Sequence, residues 1–209
     1  MVLSAPLSMQ ENSLEKNLSY TYGIFNSIFI HQAYRPEFEG KTIYFEVSKT
    51  VNGITYPYPE KLMHIVSLEE KREHTILPCN NDVASISCSN QCEFAKAHIL
   101  FVPLQRNECL YRMARIHWIP EIIDLANKKD PRVDVWVEKK KNKHNKFVEK
   151  TYIRFREGII DYLIILAHRK RRGVLTNYIF DSAFPVFLNR SKKQYSQKYE
   201  SYIRTLQTN

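Results

Sequence analysis

From Thr151 the chain alternates with period two. Thr151, Ile153 and Phe155 fall on one face, and Tyr152, Arg154 and Arg156 on the other. That spacing predicts a strand with one covered face, leaving Arg154 and Arg156 open to solvent or ligand. A nearly unbroken apolar run follows from Ile159 to Ala167, the pattern of a strand covered on both faces. Glu157-Gly158 supplies a turn between the two, and the cationic stretch from His168 to Gly173 supplies a second before the segment that ends at Pro185. Upstream, Val133, Val135 and Val137 alternate with Arg132, Asp134 and Trp136 and lead into the lysine-rich segment KKKNKHNKFVEK. The pattern predicts an antiparallel meander of about four strands. Its lysine-rich tip and its Arg169 to Arg172 tip lie at the same end.

Elsewhere the period is that of helices. Leu14, Leu18, Tyr22, Phe25, Ile28 and Phe29 predict a packing helix over about Glu11 to Ala33, capped by Asn12 or Ser13 and ended at Arg35-Pro36. Asn107 to His117 predicts another, and PEIIDLANKK a third, with Pro120 in its first turn. The tail after Asn189 or Ser191 is helical, and its Tyr195, Tyr199 and Tyr202 stripe has the spacing of core packing. Lys41 to Tyr58 reads as a hairpin about Asn52-Gly53, Cys79 to Gln91 as loop, Glu93 to His98 as a helical turn, and Ile99 to Leu104 as a short strand. The expected fold is α+β, with N-terminal helices packed on the meander. Residues 1–37 form a helical extension and residues 38–209 the main domain.

Composition adds a partner to this picture. A formal charge of +9 implies an anion, with nucleic acid leading, and thirteen tyrosines with eleven phenylalanines suit stacking on unpaired bases. Five glycines form no phosphate-cradling loop. Cys79, Cys88, Cys92 and Cys109 are expected as free thiols, a zinc site being the alternative, because no CxxC pair is present. The apolar runs are too short to span a bilayer and no secretory signal is evident, so a soluble, cytoplasmic protein is expected.

No HExxH, GxSxG or clustered-carboxylate motif is present, which disfavours zinc proteases, serine hydrolases and two-metal nucleases. Histidine, arginine and tyrosine on a basic sheet can instead cleave RNA without a cofactor, because the substrate's 2'-hydroxyl is the nucleophile. The segments EKLMHIVSLEE, LYRMARIHWIPEII, EKTYIRFREGIIDYLIIL and TNYIFDSAFPV, in that order, resemble the phage-associated nuclease domains of the barnase, EndoU, colicin and RelE-like (BECR) fold. The resemblance spans roughly Phe38 to Tyr202. It implies a toxin-like endoribonuclease with His64 as acid or base, Ser182 as the hydroxyl at the last strand's end, and Arg115 and His117 at a helix edge. Arg154, Arg156 and Arg115 would hold the phosphate, with His117, Tyr178 or Ser182 assisting. RNA contacts are expected from Arg112, Lys140, Lys143, Tyr152, Arg156, Arg169, Arg171, Arg172 and Tyr178. The implied partners are RNA, single-stranded or tRNA, and an antitoxin or immunity protein. A non-enzymatic nucleic-acid-binding module and an inhibitor with a basic contact surface remain the alternatives.

Overall fold

The computed structural model describes residues 2–9, 14–31, 35–69, 106–141 and 145–208. Cys79, Cys88, Cys92, Lys143, the expected capping residues Asn12 and Ser13, and the expected elements between Cys79 and Leu104 lie outside them. The fold is α+β, and its contacts divide the chain into two compact units: Arg35–Phe45 with Ile119–Asn209, and Val2–Tyr34 with Glu46–Trp118. One of its cuts, between Tyr34 and Arg35, falls close to residue 37, and the others follow Phe45 and Trp118.

The second of these units holds helix α1 (Leu14–Phe25), which continues through a π-helical turn to Ile30. Strands β3 (Thr50–Val51) and β4 (Ile54–Thr55) form a small hairpin. Its turn is Asn52-Gly53, with φ of 51° and 80°, the two positive values a type I′ turn demands. The longer hairpin expected over Lys41 to Tyr58 does not form, because its first half pairs elsewhere. Helix α2 (Glu60–Ile65) leads into β5 (Ser67–Glu69), which pairs antiparallel with β6 (Arg106–Glu108). Helix α3 is confined to Leu110–Met113, shorter than the eleven-residue helix expected, since Arg106 to Glu108 are committed to a strand. Cys109 precedes it as a buried free thiol.

The other unit is built on six strands in the order β1-β2-β10-β9-β8-β7. They are β1 (Glu37–Phe38), β2 (Lys41–Tyr44), β7 (Val133–Lys141), β8 (Phe147–Glu157), β9 (Ile160–Arg171) and β10 (Val174–Pro185). The four-stranded meander is present as expected, and the sheet exceeds it by two strands. One of these, β2, runs parallel to β10, with Ile43 opposite Tyr178 and Tyr44 opposite Ile179. The turn between β8 and β9 is Gly158-Ile159, one residue later than expected, with Glu157 paired to Ile160. Its positive φ falls on Gly158, at 57°, where a type II′ turn needs one. Helix α4 (Trp118–Asn127) ends in Asn127, whose amide donates to the Glu37 carbonyl and accepts from the Glu39 N–H, clasping the β1–β2 turn.

Register fixes the faces. Trp136, Tyr152 and Ile165 form one cross-strand row, Leu163 lies on the same face, and the cluster is covered by Tyr195, Tyr199 and Tyr202 of helix α5 (Asn189–Gln207). The expected tyrosine stripe is thus core packing. Trp136 and Tyr152 stack with centroids 5.1 Å apart. Residues 151–155 of β8 are all buried, so this strand is covered on both faces although its sequence alternates. The apolar helix face supplies the second cover.

Candidate nucleic-acid interface

In the meander β7 and β9 run toward the end at which β8 and β10 begin, so their tips coincide there. The first tip follows Lys139, Lys140 and Lys141, the last of which pairs with Phe147. The second is Arg172-Gly173, between Arg171 and Val174. Lys141, Arg169, Arg171 and Arg172 are exposed, as is Lys139, whose side chain is 73% accessible. Arg172 has φ 53°, an uncommon conformation for a residue with a Cβ, and Gly173 follows at 81°. Glu149 lies among these cations and draws the strands together. One oxygen is 2.5 Å from Lys170 Nζ and the other 4.0 Å from Lys139 Nζ. The Lys170 hydrogen bond, first among its causes, lowers the Glu149 pKa.

Beneath this end lies a polar cluster. Thr151 Oγ1 and His168 Nε2 are 2.7 Å apart, and His168 Nδ1 is 3.3 Å from Glu149. The second distance brings charge close without the alignment of a good hydrogen bond, for the Nδ1 atom is buried without one. The His168 ring meets Tyr178 edge-on at 5.3 Å, and the Tyr178 hydroxyl donates to Glu39 at 3.3 Å. Burial lowers the imidazole pKa and outweighs Glu149, which raises it. Burial, with Glu39, pushes the Tyr178 hydroxyl up to about 12. At neutral pH the cluster therefore holds a neutral imidazole and a protonated phenol. Such an imidazole can accept a proton, and a carboxylate beside it would stabilise the cation formed.

The expected site residues divide between the two units. In the sheet, Arg154 does not stand on an open face: it is 1% exposed beneath α5. Its Nε and Nη2 donate to the two Asp161 oxygens at 2.8 and 2.6 Å, and Nη1 donates to Ser196 at 3.0 Å. Tyr152 is buried as well, its hydroxyl pKa pushed up to about 12 mainly by burial, and Tyr178 belongs to the buried cluster. These three are corrected from phosphate or base contacts to internal groups, because the helix and the facing carboxylates occupy the surface they were expected to offer. Arg156 stays half exposed and pairs with Asp134 at 2.6 Å. Lys140 lies 5.3 Å from the Tyr152 ring centre with part of its side chain in water. Ser182 is half-buried just past an irregularity in the β9–β10 register.

In the other unit Arg115 is 1% exposed, its guanidinium 3.4 Å from the Tyr111 ring centre and 4.9 Å from that of Trp118. Arg112 is buried and donates to the Ser67 carbonyl at 2.7 Å. Both are corrected from RNA-facing cations to packing residues, since these partners enclose them. His117 Nε2 lies 3.1 Å from the Ala5 carbonyl, and Trp118 Nε1 donates to the Ser4 carbonyl at 2.8 Å, so both hold the N-terminal segment. His64 is half-buried in α2, and its carbonyl accepts from Arg106 at 3.2 Å.

Glu39, Glu149 and Thr151 were not singled out by sequence. Only the strand parity of Thr151 and His168, which places both on one face of neighbouring strands, could have signalled the cluster. No family model, no curated protein and no solved structure matches this chain.

Proposed function

We propose that this protein binds RNA along the cationic end of its six-stranded sheet. The observation that carries the reading is the meeting of two basic hairpin tips, Lys139 to Lys141 and Arg169 to Arg172, at one end of one sheet. Phosphate oxygens are the anions that lysine ammonium groups and forked arginines suit, and each phosphate bound would release condensed counterions. The left-handed Arg172 supports the reading, since a cation stands where asparagine or glycine would be less strained.

The second reading is a metal-independent endoribonuclease with a BECR-like domain. It is favoured by the neutral imidazole of His168, set between Glu149 and Thr151 at the same end of the sheet. In that reading His168 takes the acid–base role expected of His64, and the basic tips hold the phosphate. Both readings are tested in one mixture of protein and labelled RNA in EDTA. Salt-sensitive binding with intact RNA supports the binding module. Products ending in 2',3'-cyclic phosphate that vanish in His168→Gln support the nuclease. No binding at low salt overturns both.

A further inference from the structure

Resting on the reading of the sheet end as an RNA site, we propose that the RNA bound there is single-stranded and that Phe147 is the platform on which one of its bases stacks. Phe147 is 69% accessible, the most exposed aromatic side chain among the described residues. It starts β8 directly opposite Lys141, whose Nζ is 5.5 Å from the ring centre. Strand parity then puts Lys139, Lys141, Phe147, Glu149 and Lys170 on one face of the sheet. An open aromatic ring therefore sits in a row of cations at the place where both tips meet.

The fold makes little use of that ring. Phenylalanine suits a strand and Lys141 reaches it from the facing strand, but a side chain left 69% accessible contributes little burial energy. An unpaired base supplies what the ring lacks, a flat apolar partner, while the phosphates on either side of it meet Lys141 and Lys139. A duplex keeps its base faces stacked inside and offers Phe147 only backbone and groove edges. Charge alone would hold either form, so the aromatic ring is what selects the single strand.

The test uses the full chain and three polyanions: a labelled oligouridylate of about 12 nucleotides, an RNA duplex of the same length, and heparin. The wild type is expected to prefer the single strand at matched salt. Phe147→Ala is expected to weaken that binding about tenfold while leaving duplex and heparin affinity unchanged, and Phe147→Trp to restore it. An unchanged melting temperature in Phe147→Ala would show that the exposed ring was removed without unfolding. Equal affinity for duplex and single strand, or a Phe147→Ala loss shared by heparin, would overturn the stacking role and leave the phosphate rim standing. Failure of every polyanion to bind would overturn the RNA reading itself.

Discussion

Thr151 and His168 meet at 2.7 Å between Oγ1 and Nε2, on neighbouring strands, with Thr151 1% exposed and the His168 side chain 8%. The imidazole is enclosed by groups of both kinds: Glu149 and Glu39 favour its charge, Lys170 and burial oppose it, and burial is the largest of these effects.

A pH dependence of stability follows. As pH falls through the ordinary histidine value of 6.5, the unfolded chain takes up its proton first and the folded chain lags. The His168 contribution is therefore fully present above that value and is lost below it. Between about pH 7.5 and about pH 5 the urea midpoint of the wild type should fall relative to that of His168→Gln, which lacks that component. A steeper fall in the variant would contradict the assignment.

Arg154 and Asp161 should behave as an inseparable pair. Breaking one partner of a buried ion pair leaves an uncompensated charge, which costs about 3–5 kcal/mol. Arg154→Met and Asp161→Asn should each show that loss in denaturant melts, and the double variant should lose clearly less than the two together. Additive losses would mean the two groups do not depend on each other.

Arg172 should trade stability against affinity. Asparagine tolerates its φ of 53° better, so Arg172→Asn should stabilise the fold by about 0.5 kcal/mol while weakening RNA binding. A variant that gains stability and keeps full affinity would remove Arg172 from the interface.

The basic tips should also set the salt response. Each phosphate of a single strand that the protein no longer neutralises lowers the slope of log affinity against log salt by about 0.7. Arg169→Gln with Arg171→Gln should reduce the slope by about twice that, whereas Arg156→Gln, whose charge is already matched by Asp134, should change it little. Equal changes in both variants would indicate a general charge effect rather than a defined rim.

Much of the sheet was legible because strands that pair with their sequence neighbours carry their own marks. Alternation, turn glycines and the basic tips located β7 to β10, and the tyrosine stripe located α5. Three kinds of information left no local mark. The partner of Arg154 is seven residues away across a hairpin, so alternation alone showed two charged positions and not that they neutralise each other under a helix. The burial of Arg112 and Arg115 depends on Tyr111, Trp118 and the Ser67 carbonyl closing around them, which helical spacing does not reveal. The parallel strand β2 joins β10 with no turn to announce it, so the Lys41 segment was assigned to the nearest available hairpin.

That parallel strand makes the sheet's integrity a matter of timing. Glu39 and Tyr178, which bond across it, are 139 residues apart, so the pairing closes a very long loop. Nascent β7 to β10 can zip together one hairpin at a time, each closing only a short loop. Until β2 arrives, β10 presents bare N–H and C=O groups along its outer side. The short segment from Arg35 to Phe45 thus covers that outer side where Ile43 and Tyr44 meet Tyr178 and Ile179. A fragment beginning at Ile119 would keep the whole meander and leave that stretch of edge bare.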